Sequence, residues 1–267
     1  MAALVDYSLR SGVASILLAS AESGNALSPE LLRALIEAVE RAESEASCRA
    51  ILLVAAGPSF SQGADFASLF TAEGSPDPAY PELFLQCLRG ILRVRRPMVA
   101  CVEGKVTGGG VGLVAACDVV IAAPEATFVL PEVLVGMIPA LITPFLLRRM
   151  SLAHVRAMTL SARSIEAREA QRLGLVDEVA EQGLTQAVLR QLQRLFRASP
   201  AALAESKGYF ERLHAETLTE QTTIAEDRLR SWLGRDDVTE SLQQFADGFS
   251  PPWFQRYRGP GYTCPQE

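Results

Sequence analysis

Hydrophobic positions along this chain recur at two spacings, and the change from one to the other organises it. Leu4–Leu9 and Val13–Ala19 are strand-like runs separated by Ser11-Gly12, which predicts a hairpin. Ser28 is placed to cap a helix with Pro29 at its first position, and Leu31, Leu32, Leu35, Ile36 and Val39 follow at helical spacing. Ala50–Ala56 reads as a buried strand closed by Gly57-Pro58, and Phe60–Phe66 as a short loop around Gly63. Thr71–Tyr80 is polar and contains prolines, predicting a mobile loop, and Leu83–Val94 predicts a helix. Met98–Val102 then reads as a buried strand, followed by Gly108, Gly109, Gly110 and Gly112 and a small-residue apolar run, Val111–Cys117, of helical length.

Downstream, Asp118–Ala122 predicts a short strand and Phe128–Glu132 the start of a loop, with helices over Ile138–Met150 and Leu152–Leu160. Glu166–Leu173 predicts a helix that Gly174 ends in the left-handed conformation. From Leu184 onward only helices are expected: Leu184–Phe196, Ala201–Leu213, Leu218–Leu233 and Val238–Phe245. Ser250–Glu267, rich in proline and aromatics, is expected to dock or fray. Strands alternate with helices up to about Asp177, so the fold class is α/β, with residues 1–183 forming the α/β core and 184–267 a helical C-terminal region.

Composition narrows the function. The chain has 267 residues, 49% of them hydrophobic and 21% charged, enough for one large domain. A net charge of −6 argues against a nucleic-acid surface as the main function, and the clusters Arg93–Arg95–Arg96 and Arg148–Arg149 read as solvated faces. Five widely spaced cysteines (Cys48, Cys87, Cys101, Cys117, Cys264) form no C-x-x-C pair, and there are two histidines, so no metal site is expected. The N-terminus shows no leader pattern, and no window approaches 18 uninterrupted apolar residues. A soluble, cytoplasmic protein of a reducing compartment is expected.

A strand, a glycine turn and a helix start aim several unpaired backbone N–H groups at one point, which suits a phosphate or an oxyanion formed during a reaction. No Lys-Ser/Thr follows the glycines and G-x-G-x-x-G is absent, which disfavours phosphate. Tight packing of a helix on a sheet is the alternative use of the same glycines. The Gly63 turn repeats the construction, so two turns from neighbouring strands would give two converging donors, suited to the enolate oxygen of a thioester. Glu132 follows Pro131 in the apolar stretch Phe128–Ile138, where a charged side chain is costly unless used or paired.

Four stretches carry a resemblance: Phe60-Ser-Gln-Gly-Ala-Asp-Phe, Glu103-Gly-Lys-Val-Thr-Gly-Gly-Gly-Val-Gly, Phe128-Val-Leu-Pro-Glu-Val-Leu-Val-Gly-Met-Ile-Pro and Glu169-Ala-Gln-Arg-Leu-Gly-Leu-Val-Asp-Glu-Val. In order and spacing they resemble the crotonase (enoyl-CoA hydratase/isomerase) superfamily, over about Leu4–Phe245. The resemblance implies a spiral of ββα units with a helical trimerisation region, giving a homotrimer or hexamer. It also implies a thioester substrate, an oxyanion hole from the Ala64 and Gly109 N–H groups, and Glu132 as catalytic base. Where a hydratase of the superfamily carries a further glutamate, after the glycine triplet, this chain has Gly112. The segment Pro139-Ala-Leu-Ile-Thr-Pro-Phe-Leu-Leu-Arg-Arg and the late Pro-Pro-Trp are similar to the dehydratases of polyketide β-branching cassettes. Those enzymes remove water from a 3-hydroxy-3-methylglutaryl group on acyl carrier protein, giving a 3-methylglutaconyl thioester.

The resemblance thus implies a lyase whose substrate arrives on the phosphopantetheine arm of acyl carrier protein or coenzyme A, with no separate cofactor, nucleic-acid or membrane partner. Asp65 is a second acid or, the commoner role, a cap of the following helix. Lys105 would meet a distal carboxylate or simply be solvated at a strand end, and His154 and His214 carry no motif. The rival readings are an isomerase or hydratase acting on acyl-CoA, and a non-catalytic scaffold. A buried cation in the acyl pocket would favour the branched dicarboxylate, an apolar tunnel a fatty chain.

Overall fold

Ser11 and Gly12 turn the first hairpin because both take positive φ, 50° and 78°, as a two-residue turn between twisted strands requires. They join β1 (Val5–Arg10) to β2 (Val13–Leu18) antiparallel in the computed structural model, which describes residues 3–70, 77–250 and 253. Helix α1 (Pro29–Ser44) starts where expected: the Leu31 N–H donates to Ser28 Oγ at 3.2 Å and Pro29 needs no acceptor. Its apolar face, Leu31, Leu32, Leu35 and Val39, is buried, and the chain returns parallel to β2 as β3 (Ala50–Ala55).

The chain then winds in repeated strand–strand–helix turns. β4 (Ser59–Ser61) and α2 (Ala79–Arg93) complete the first; β5 (Met98–Val102), β6 (Lys105–Thr107) and α3 (Gly109–Ala116) make the second. β7 (Val119–Ala122) and β8 (Thr127–Val129) lead to α4 (Thr143–Leu146), α5 (Leu152–Ser161), β9 (Ile165–Glu166), α6 (Ala167–Leu173) and β10 (Glu178–Val179). Alternate strands fall into different sheets, ordered β1-β2-β3-β5-β7-β10 and β4-β6-β8-β9. β5 is buried at all five residues, which is why it reads as an unbroken apolar run.

Helices α7 (Leu184–Arg197), α8 (Pro200–Leu233) and α9 (Asp236–Ala246) follow. The amphipathic α7 covers the outer face of the larger sheet, where Ala187 and Val188 meet Val99, Cys101 and Ile121. The main core lies on the other side, and Leu218, Leu229, Leu233, Val238 and Leu242 of α8 and α9 join Phe60, Phe128 and Phe145 in it. Lys207 of α8 donates to the Arg96 carbonyl at 3.0 Å and to Asp118 at 2.6 Å. Cys48, Cys87, Cys101 and Cys117 are buried free thiols, while Cys264 lies outside the described residues. No helix among the described residues is long and apolar enough to cross a membrane.

Several expected boundaries move. The glycine turn does not follow Met98–Val102 directly, because the short β6 intervenes. Phe128 belongs to β8, and α2 begins at Ala79, inside the expected loop, of which residues 71–76 lie outside the described residues. So does most of the expected C-terminal stretch beyond 250. Ile138–Met150 is not one helix: prolines at 139 and 144 restrict regular α-helix to Thr143–Leu146. Conversely, Ala201–Leu213 and Leu218–Leu233 are parts of one 34-residue helix, since His214-Ala-Glu-Thr contains no breaker.

The turn into the first repeat hangs on Asn25, which is fully buried at φ 54°. Its Nδ2 donates to the carbonyls of Ala56 at 2.9 Å and Ser59 at 3.0 Å, and its own carbonyl accepts from Ser61 Oγ at 2.9 Å. Asn25→Ala strands two carbonyls and places a Cβ-branched-free but unbonded residue in a left-handed position. We expect a loss of about 2–4 kcal/mol, read as a lower denaturant midpoint at unchanged m-value.

Candidate active site

β4 and β6 pair parallel, with Ser59 opposite Lys105 and Ser61 opposite Val106, so the turns leaving them lie side by side. Each leaves through a glycine at positive φ, Gly63 at 85° and Gly108 at 51°. The turns nearly touch. A Cβ on Gly63 would stand 2.7 Å from the Thr107 carbonyl oxygen and 3.1 Å from the Gly109 nitrogen, and one on Gly109 would stand 3.5 Å from the Ala64 nitrogen. Ala64 and Gly109 thereby line one cavity together, and among the described residues neither amide donates to a protein acceptor. Gly109 opens α3, so its N–H lacks an intrahelical partner and sits at the positive end of the helix.

Neighbouring bonds hold both turns. The Gly63 N–H donates to Ser61 Oγ at 3.1 Å, Leu27 N–H to the Gly63 carbonyl at 2.8 Å, and Gly108 N–H to the Val129 carbonyl at 2.9 Å. The other glycines serve packing: a Cβ on Gly110 would meet Ser61 Cβ at 2.8 Å, and one on Gly112 would meet Ile142 Cγ2 at 2.5 Å. The cluster is therefore divided: Gly109 at one end turns its amide to the cavity, while Gly110 and Gly112 at the other make room for close packing.

Glu132 faces the same cavity from a 3-10 turn, Glu132–Val135, that Gly136 closes at φ 79°. Its Oε1 lies 3.0 Å from where a Gly108 Cβ would be, and its buried Oε2 has no hydrogen-bond partner. Burial pushes the Glu132 carboxyl up to about 7, against a small opposing bond from its own backbone. No other charged side chain lines the cavity among the described residues; Tyr80, Phe84, Leu69, Met137, Ile138, Leu141 and Leu229 supply most of the wall. Its volume is about 100 Å³, the share of about three waters at ~30 Å³ each, and so suits a short acyl group.

The remaining sequence candidates fall elsewhere. Asp65 lies beside Ala64 but outside the cavity wall, its carboxylate accepting from Ser68 Oγ at 2.8 Å across the 3-10 turn Phe66–Leu69. Lys105 is exposed at the start of β6, the end away from Gly108. His154 and His214 are exposed on α5 and α8. Reading the sequence missed Asn25, Tyr80, Ile142 and Leu229. Gly24-Asn25 did carry a signal for left-handed backbone, whereas apolar wall residues on distant helices carry none.

The sequence profile of the enoyl-CoA hydratase/isomerase family matches residues 8–256. The chain belongs to that family. A Rhodobacter capsulatus protein described as an enoyl-CoA hydratase is 34% identical over 94% of this chain and 97% of its own length. The crystal structure of an enoyl-CoA hydratase from Mycobacterium avium superposes with a TM-score of 0.84 at 29% identity, covering 95% of this chain and all of the other. A Bacillus subtilis structure described as a polyketide-biosynthesis enoyl-CoA hydratase gives 0.86 at 23% identity, covering 94% of this chain and 100% of the other, and shares the fold. As a member of the enoyl-CoA hydratase/isomerase family the protein is an enzyme of the lyase type.

Because Glu132 holds its proton more tightly when folded, at about 7, than the ordinary glutamate value of 4.5, it adds stability below about pH 4.5 that is lost as pH rises through 7. Glu132→Gln has no such proton to lose. The melting temperature of the wild type relative to Glu132→Gln is expected to fall steadily from pH 4.5 to 8. A difference independent of pH would mean that Glu132 is hydrated in the folded protein.

Proposed function

We propose that this protein dehydrates a 3-hydroxyacyl thioester, its substrate being 3-hydroxy-3-methylglutaryl on acyl carrier protein and its product the 3-methylglutaconyl thioester. The observation that carries the reading is one carboxyl, its Oε2 buried and unpartnered, facing two unengaged amides across a cavity with no other charge among the described residues. Glu132 removes the proton from the α carbon, and the electron pair moves onto the thioester oxygen. That oxyanion accepts from the Ala64 and Gly109 N–H groups, each worth about 3–4 kcal/mol of barrier where such donors have been deleted. Collapse of the enolate expels the β-hydroxyl, which leaves as water with the proton that Glu132 returns. The base can serve both steps because a carboxyl near neutrality gives up its proton as readily as it takes one.

Water addition lacks its second carboxylate. Gly112 is buried, and Ile142 stands 2.5 Å from where its Cβ would be, so a glutamate there requires Ile142 to move. The short cavity supports a small acyl group, and the β-branching substrate is supported by the Thr143-Pro-Phe-Leu-Leu-Arg-Arg segment and by what the B. subtilis protein is described as. One observation favours a second reading, double-bond isomerisation of an apolar acyl-CoA. The described cavity wall offers no cation to a distal carboxylate, and a mainly apolar groove between α4, α5 and α8, whose lining also includes Arg156 and Arg228, adjoins the cavity at Ile138, Pro139 and Ala140.

Incubation with 3-hydroxy-3-methylglutaryl on acyl carrier protein, the same group on coenzyme A, and a 3-enoyl-CoA separates these readings. Loss of one water from the first is expected; conversion of the 3-enoyl-CoA alone would replace dehydration with isomerisation. Glu132→Gln keeps shape and burial but accepts no proton, and turnover is expected to fall about 10²–10⁴-fold. Retained dehydration would move the base elsewhere, with Asp65 next in line.

Assembly as a trimer, or a dimer of trimers, through the helices after Leu184 belongs to the same reading. Tyr209, Phe210, Leu213 and Ile224 of α8 are each more than half exposed, a row of large apolar groups that a second copy would cover. Light scattering at micromolar concentration is expected to give three or six times the 28.8 kDa chain mass; a monomer would remove the proposal.

A further inference from the structure

The Glu132 carboxyl is held only locally: its buried Oε2 has no partner, and the bond it does receive comes from its own backbone. Its aim must come from the backbone of the turn that carries it. Inside that turn, Leu134 N–H donates to the Pro131 carbonyl at 2.8 Å, Gly136 N–H to the Val133 carbonyl at 3.3 Å, and Met137 N–H to the Glu132 carbonyl at 2.8 Å. Such a short 3-10 segment has poor hydrogen-bond geometry and little stability of its own.

Two of its remaining carbonyls are engaged from outside, both by indoles, and the chain contains two tryptophans. Trp232 Nε1 donates to the Gly136 carbonyl at 2.7 Å, and Trp253 Nε1 to the Leu134 carbonyl at 3.3 Å. The Trp253 ring lies so close over Gly136 that a Cβ there would stand 2.5 Å from it. Trp232 is itself fixed. It sits in the last turn of α8, one turn after the cavity residue Leu229, under the Arg235 guanidinium at 4.7 Å, and Arg235 is paired with Asp237 at 2.8 Å. Trp232 therefore ties the turn to the end of α8, and Trp253 contributes a second indole bond from beyond α9.

We propose, resting on Glu132 as the base, that Trp232 is a positioning residue whose indole N–H holds the Glu132–Gly136 turn so that the carboxylate stays aimed into the dry cavity. Trp253 supports it from the half-exposed side. Without the Trp232 bond the turn relaxes, water reaches Oε2, and the base is both misplaced and better hydrated. No charge competes in setting that titration: the cavity wall carries none besides Glu132 among the described residues, and Arg235, between α8 and α9, is paired with Asp237.

Trp232→Phe tests this, since it keeps the aromatic body and deletes the donor. The Glu132 carboxyl titration, followed by infrared difference against Glu132→Gln, needs no substrate and stays readable even if the substrate assignment fails. It is expected to move from about 7 toward the ordinary value of 4.5. With 3-hydroxy-3-methylglutaryl on acyl carrier protein, kcat is expected to fall about 10–100-fold with KM little changed, the mark of misplacement without lost binding. A Trp232→Phe protein whose Glu132 titration stays at the wild-type value overturns the proposal, whatever happens to turnover. Should Trp232→Phe not fold, Trp253→Phe carries the same test with a smaller shift in the same direction, and no shift there overturns it equally.

Discussion

Two backbone amides can serve one oxygen only if the turns that carry them approach almost to contact. Here that approach depends on missing side chains. At Gly63 any Cβ would intrude on the Thr107 carbonyl and the Gly109 nitrogen, and at Gly108 any Cβ would press on the Glu132 carboxylate. The parallel pairing of β4 with β6 brings the turns together, and the Asn25–Ser61–Gly63 chain of bonds keeps one of them from drifting. Most of the molecule follows from this requirement. The alternation of strands between two sheets delivers successive turns to the same edge, and the helices α2 and α8 close the space in front of them.

The same crowding sets the chemistry of the base. A carboxylate in an apolar wall loses its hydration, and nothing in the described wall replaces it, so its proton affinity rises by more than two pH units. Each unit corresponds to about 1.4 kcal/mol, taken from folding stability and held as a higher proton affinity at Glu132. A second carboxylate nearby would raise that cost further. Ile142 over Gly112 is thus more than a filled gap, because it keeps the wall dry beside the one charge the site has to carry.

The parts of this arrangement that depend on local chain chemistry were legible in the sequence. Positive-φ glycines, the Ser28 cap, the apolar β5 and a glutamate in an apolar stretch all announce themselves within a few residues. The two glycine turns and Glu132 were found that way, the family resemblance pointed to Ala64 and Gly109 within those turns, and the structure brings all three residues to one cavity. What stayed hidden depends on tertiary distance or on competing breakers. β6 and β8 are three residues each and too short to show a period. Prolines 139 and 144 cut an apolar run that reads as one helix, and an uninterrupted polar stretch in α8 reads as a gap between two. Asp65 and Lys105 each had an ordinary role as the commoner reading; the first accepts from Ser68 Oγ outside the cavity wall and the second is exposed at a strand end.

The length of α8 is where that misreading matters most. Two helices joined by a loop would leave their ends free to move separately, whereas a continuous helix of 34 residues fixes one end relative to the other. Lys207 near its start is bonded to Asp118 and the Arg96 carbonyl at the edge of the large sheet. Trp232 near its end holds the catalytic turn, and the separation along the axis is about 38 Å at 1.5 Å per residue. The helix therefore ties the strand ends of β5 and β7 to the turn of Glu132 by a single rigid element, without passing through the cavity. Leu229, one turn before Trp232, contributes to the wall from the same rod. The exposed row on α8, Tyr209, Phe210, Leu213 and Ile224, lies on the same element whose end is bonded through Trp232 to the turn of Glu132.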